Sequence, residues 1–262
     1  EEITVRHLVT HTSGIRDRYD VWGSLGEPHA LYVYGDSDIP LGTFLEGYLV
    51  DHGQWYQTNN YYEALPEEYL RYSNIGFALA GHLVEVVTGT PLDDHCDAEI
   101  FGPLEMNNTG WHLADFGVDE VAVPHSGYGA DVSAYGHFGY PDYPDGQLRA
   151  SPEDLARYML AHDNGGELDG VRILDAETVD ELWRAQVPDV DDTQGVGWYW
   201  WTENGVDVVG HDGADYGVAT QMFLEPETGV GVVLLANVDW SRRTTTTLMD
   251  ISARLYAEGL RR

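Results

Sequence analysis

Residues 206–238 read VDVVGHDGADYGVATQMFLEPETGVGVVLLANV. The apolar residues in this stretch follow a strand-like rather than a helical period, and it divides at turn-forming residues into VDVVGH (206–211), VATQMFLEP (218–226) and GVGVVLLANV (229–238). PETG, residues 226–229, has the chemistry of a hairpin turn between the last two segments. GVGWYWW (195–201) supplies one more strand upstream, and a helix is predicted over about Thr244 to Leu260.

Before residue 186 the period is helical. SNIGFALAGHLVEVVTG (73–89) carries Ile75, Leu79, Leu83 and Val86 at helical spacing, and Gly89 stands where a C-terminal cap belongs. In TPLDDHCDAEIF (90–101), Thr90 reads as a cap and Pro91 as the first helical residue. In ASPEDLARYMLAHDNGG (150–166), Ser151 reads as a cap and Asp154 as the closing member of a capping box. Shorter helices are predicted over 3–11, with Thr4 as cap, over Leu41 to Leu49 and over about Asp175 to Arg184. The fold class is therefore α+β: an antiparallel sheet flanked by helices plus a mainly helical region. One domain is expected over 1–262, with helices and loops to about 185 and the sheet with its closing helix after that.

Charge sets further bounds. There are 45 acidic residues against 13 basic ones, no lysine, and a net charge of -32. Phosphate backbones and anionic lipid surfaces would be repelled, which argues against nucleic acid and membrane-surface partners. Self-repulsion on this scale weakens a compact state, and salt screens it. A high-salt environment is the expectation, read as a thermal midpoint that rises with added salt; a flat or falling midpoint would oppose it. No apolar run is of membrane-spanning length, and Cys96 is the only cysteine, so no internal disulfide can form.

Several stretches, in order, resemble the serine β-lactamase and penicillin-binding-protein-like hydrolases, in the branch related to class C β-lactamases. They are ITVRHLVTHTSGI (3–15), YSNIGFALAGHLVEVVTGTPLDDH (72–95), IFGPLEMNNTG (100–110), LRASPEDLARYMLAHDNGG (148–166), GVGWYWW and residues 211–238. The resemblance implies a β-lactamase/transpeptidase-like fold and acyl transfer to a serine, followed by hydrolysis of an ester, amide or β-lactam, without a cofactor. Tyr72 matches the tyrosine of the family's Tyr-x-Asn motif and is implied as general base. Asn74 is implied to hold a substrate amide or carbonyl. His211 stands where the third motif has lysine, and the backbone N–H of Ala214 matches an oxyanion donor. Gly213 and Gly217 are implied to let backbone approach substrate. Each residue has a structural alternative: Tyr72 as a packing anchor, Ser73 or Asn74 as an N-cap, His211 as a strand-end histidine.

The family's nucleophile lies in a Ser-x-x-Lys turn, which a chain without lysine cannot contain. That turn would fall upstream of Glu1, so an N-terminal truncation is expected. No acyl-enzyme is then expected from this chain alone, and Tyr72 is expected to be an ordinary protonated phenol. Ser13, Ser73 and Ser126 lack the neighbours of a nucleophile; PHSGYG (124–129) misses the first glycine of a nucleophile elbow. A non-catalytic ligand-binding protein on the same scaffold is the alternative function. A partner chain or dimer is expected to cover the sheet edge left open, and a secreted or cell-envelope location fits the family. His7 and His11, four apart, would share one face of a helix, but without the glutamate of a zinc protease they read as structural, and no metal site is expected.

Overall fold

A computed structural model describes residues 2–127, 131–203 and 205–262. Glu1 lies outside the described residues, as do Tyr128 and Gly129 of the PHSGYG stretch. The helices are α1 (Val5–Val9), α2 (Tyr19–Trp22), α3 (Leu41–Leu49), α4 (Asn74–Thr88), α5 (Leu92–Cys96), α6 (Pro152–Asp163), α7 (Ala176–Trp183) and α8 (Arg242–Gly259). The long strands are β1 (Tyr199–Glu203), β2 (Val206–Asp215), β3 (Val218–Glu225) and β4 (Val230–Ala236). They form one antiparallel sheet in the order β4-β3-β2-β1.

Alternation along the strands sorts the side chains onto two faces. Val209 and Leu224 pack with Met159 of α6 and with Trp198; Val208, Phe223 and Val232 face Tyr256 of α8. A third apolar cluster holds the helical region together around Phe44, Tyr48, Ile75 and Leu104, all 1% exposed or less. Helix α4 is thus fixed to α1 and α3 by its buried end.

Local chemistry explains most element boundaries. Ser73 caps α4 by accepting from the Gly76 N–H at 3.0 Å, and Gly89 ends the helix at φ 70°. Ser241 caps α8 in the same way through the Thr244 N–H, which places the start of this helix two residues before the predicted Thr244. β2 runs four residues past the predicted His211, because the ladder with β3 continues to the Asp215–Val218 pair.

Other expectations are corrected. Pro91, not Thr90, occupies the cap position of α5. Ser151 does cap α6, but Asp154 does not close a box. Its carboxylate instead accepts from the Asn108 N–H at 2.7 Å and the Thr109 hydroxyl at 2.9 Å, tying α6 to a distant turn. Val86 is 64% exposed, since the last turn of α4 extends beyond the core that buries Ile75. His7 and His11 do not share a helical face. α1 ends at Val9, and His11 sits at φ 57° beyond it. His7 is hydrogen-bonded to Glu67 and accepts from the Thr4 N–H, while His11 accepts from the Ser73 N–H. No cluster of metal-ligating side chains occurs among the described residues, and no single described helix is long and apolar enough to cross a membrane.

Candidate active site

The N-terminal end of α4 and the C-terminal half of β2 face one cleft of about 610 Å³. Tyr72, Asn74, His211, Gly213 and Ala214 all line it. The sequence separates the first two from the last three by well over a hundred positions, and packing of the helical region against the sheet brings them together.

The Tyr-Ser-Asn segment is held from behind. Asp17 receives three hydrogen bonds there: from the Ser73 hydroxyl at 3.1 Å, the Asn74 N–H at 2.7 Å and the Ile75 N–H at 3.1 Å. An acceptor at this position satisfies helix-end donors that have no partner within the helix. The Asn74 side chain also hydrogen-bonds Asp17, so its amide is shared between the brace and the cleft. Burial nevertheless raises the Asp17 pKa above its ordinary value, against the lowering effect of those bonds.

His11 completes the support. Its Nδ1 accepts from the Ser73 N–H at 3.1 Å, which puts the proton of the neutral ring on Nε2. Burial first, then the nearby His211, lowers its pKa to about 4, so the ring is neutral at pH 7. It packs against the Tyr72 ring, with centroids 4.2 Å apart.

Tyr72 faces His211 across the cleft at a centroid separation of 6.2 Å. Its pKa is pushed up to about 12, by burial first and then by the charges of Asp145, Asp17 and Asp212. The phenol is therefore protonated at neutral pH. His211 lies 2.5 Å, through Nδ1, from the Asp212 carbonyl oxygen, which leaves Nε2 as the acceptor of the neutral ring. Tyr199 meets His211 edge-on at 5.1 Å and donates to the Asp212 carboxylate at 2.6 Å, fixing both neighbours.

Gly217 does not approach the cleft. It turns the chain between β2 and β3 at φ 65°, where a Cβ would fall 2.3 Å from the His125 nitrogen, so its smallness serves packing against residues 124–125. Ser73 is a cap and not a nucleophile: it is fully buried and committed to Asp17 and Gly76. Ser13 is buried, and its hydroxyl accepts from the Ile15 N–H. Among the described residues that line the cleft there is no serine. Its one aliphatic hydroxyl is Thr220, which donates to the Gly213 carbonyl at 3.4 Å.

The floor is acidic. Asp142 is fully buried and accepts from the Trp22 indole N–H, and it is hydrogen-bonded to Asp145. Burial raises both carboxyls, and the charge of Asp142 raises Asp145 further. Asp215 is raised to about 6 by burial, although it receives hydrogen bonds from Tyr216, Tyr32 and Tyr140. Sequence reading missed Asp17 and this floor; it named His11 as structural but not its place behind Ser73 and Tyr72. Asp17 and the floor carboxyls act through long-range contacts, and nothing in their local sequence sets them apart from the many other acidic residues of the chain.

An antiparallel sheet between helices, joined to a helical region with a cleft at the seam, is the β-lactamase/transpeptidase fold. The beta-lactamase family pattern matches residues 1–251, and the chain belongs to that family of hydrolases. It is 28% identical over 247 residues to penicillin-binding protein 4 of Amycolatopsis lactamdurans, an alignment covering 90% of this chain and 59% of that protein. In structure it resembles the penicillin-binding protein of Bacillus halodurans, with a TM-score of 0.71, 21% identity and coverage of 95% and 72% of the two chains. It also resembles the D-amino acid amidase of Ochrobactrum anthropi SV3 in complex with L-phenylalanine amide, with a TM-score of 0.72, 20% identity and coverage of 98% and 71%. The chain thus spans less than two thirds of that first relative's length, and the two structural likenesses concern the fold.

Proposed function

We propose that residues 1–262 form the acyl-binding cleft of a serine hydrolase that acts on esters or amides. The observation that carries this reading is the meeting of Tyr72, Asn74, His211 and the 213–214 backbone on one cleft. Asn74 and His211 would hold the carbonyl side of the substrate, and the Ala214 N–H would meet an oxyanion. Tyr72 would act as general base, or share that role, once a cation beside it favours its phenolate.

Electrostatics narrows the substrate. Asp145, Asp212 and Asp215 line the cleft, and His211 is the only basic side chain among its described lining residues. A substrate carboxylate would be repelled, whereas a neutral or cationic acyl compound would not. This favours esters and amides over penicillin-type β-lactams.

A specific observation favours a second reading for the chain taken alone. The described cleft lining has no serine, and the Tyr72 phenol is raised to about 12. These two features support a reading of binding without turnover for residues 1–262 by themselves. Intact-mass spectrometry after exposure to a fluorophosphonate and to a reactive β-lactam is expected to show no stoichiometric adduct. A stable one-to-one adduct would refute the inactivity of this chain and, once mapped, would identify the nucleophile.

A further inference from the structure

The outer face of the sheet meets α8 in a groove of about 260 Å³. Its walls are apolar: Val206, Val208 and Phe223 from the strands, Ala253 and Ala257 from α8, and Leu260 just past its end. Two polar residues interrupt them: Tyr256, whose hydroxyl donates to Glu225, and Glu203. Glu203 lines the groove, yet it is only 8% exposed. Its Oε2 accepts from the Trp201 indole N–H at 3.4 Å, a long bond, and its Oε1 has no hydrogen-bond partner among the described residues.

A buried carboxylate oxygen without a partner is strongly unfavourable unless something outside the chain completes it. The arginines that follow α8 do not: Arg261 and Arg262 both pair with Glu258. The complement that fits is a hydrogen-bond-donating cation with an apolar body. A second copy of this chain is a poor occupant, because each carries a net charge of -32. At roughly 30 Å³ per water-sized group, the volume accommodates about eight heavy atoms, which is the size of a small molecule.

We infer that this groove is a binding site for a small amphiphilic cation, an ammonium head on an aliphatic chain of about six to eight carbons. The head bonds Glu203, and the chain covers Phe223, Val208 and Leu260. The site is separate from the acyl cleft: the two lie toward opposite ends of β2, whose rise from residue 206 to 213 is roughly 23 Å, and it does not depend on the function proposed for that cleft.

The test uses the full chain, isotopically labelled, with n-octylammonium, n-octanol and octanoate as probes. The reporter is the Trp201 indole N–H resonance, assigned with Trp201→Phe. Octylammonium is expected to shift this resonance saturably and to bind at least about tenfold more tightly than octanol, the worth of one charge-assisted bond. Octanoate is expected not to bind. Glu203→Gln should erase the preference for the amine while leaving octanol unchanged, and should melt higher than the native chain in the absence of probe. Ala257→Leu, which fills the groove and keeps the carboxylate, should abolish binding of both probes. Equal binding of amine and alcohol would overturn the inference. So would an amine preference that survives Glu203→Gln, which is the signature of diffuse attraction to an acidic protein. Binding of a basic amphipathic peptide without binding of octylammonium would overturn it in favour of a protein-docking surface.

Discussion

Replacing Asp17 by alanine is expected to destabilise the protein by about 3 kcal/mol and to disorganise the cleft at the same time. The side chain accepts from the Ser73 hydroxyl and from the Asn74 and Ile75 N–H groups, so its loss leaves three donors at the start of α4 without their acceptor. A hydrogen bond to a charged group contributes about 1.5–3 kcal/mol, and the burial that raises the Asp17 pKa offsets part of the sum. For a chain of this size that corresponds to a melting temperature lower by roughly 6–12 °C. Asp17→Asn should lose less, because one oxygen remains while its amide faces a donor. Thermal melts of both variants check this. A change below about 1 kcal/mol for Asp17→Ala would show that the brace is redundant.

Removing the charge of Asp215 is expected to have the opposite effect, and only at neutral or higher pH. Burial raises this carboxyl to about 6 in the folded chain, against an unfolded value near 3.9. A raised folded pKa contributes stability that is fully present below the unfolded value and is lost as pH rises through about 6. At pH 8 ionised Asp215 therefore costs up to about 3 kcal/mol, and Asp215→Asn should recover a large part of it. Near pH 4 the variant should gain little. The raised Asp142 and Asp145 pair acts with the same sign. His11 acts with the opposite sign: lowered to about 4, it contributes stability above pH 6.5 that is lost as pH falls towards 4. Several carboxyls outweigh one imidazole, so the native chain should be more stable near pH 5.5 than at pH 8. Denaturant titrations across this range, at fixed salt, are the check. A stabilisation by Asp215→Asn that is equal at both ends would remove titration as its cause.

The sheet was legible because its evidence is local. PETG at 226–229 marks the hairpin between β3 and β4, and the hydrophobic residues on β2 and β3 alternate between two covered faces, whereas the last four residues of β2, past His211, were not read as strand. The main helices were legible for similar reasons: Ser73 and Ser151 stand one residue before helices that start as they require, while Ser241, the cap of α8, was not read as one. Single-residue roles were less secure. Asp154 has the spacing of a capping box, but a tertiary partner at Asn108 competes for its carboxylate. His11 has helical spacing from His7, but the chain leaves the helix before reaching it. At the cleft, the family's motif order pointed to Tyr72, Asn74 and His211. The groups that set their environment could not be read this way: Asp17 and the Asp142–Asp145 pair come from loops with no periodicity, and their effect depends on burial that only the assembled fold creates.

Titration of the chain with a neutral acyl amide, N-acetylphenylalanine amide, followed by NMR at the His211 ring and the Asn74 side chain, tests the central claim most directly. Both signals are predicted to shift together and saturably, the matching carboxylate N-acetylphenylalanine is predicted to bind at least about tenfold more weakly, and Asn74→Ala is predicted to weaken the amide. Shifts confined to other parts of the molecule, or tighter binding of the carboxylate, would contradict an acyl-binding cleft built by these residues.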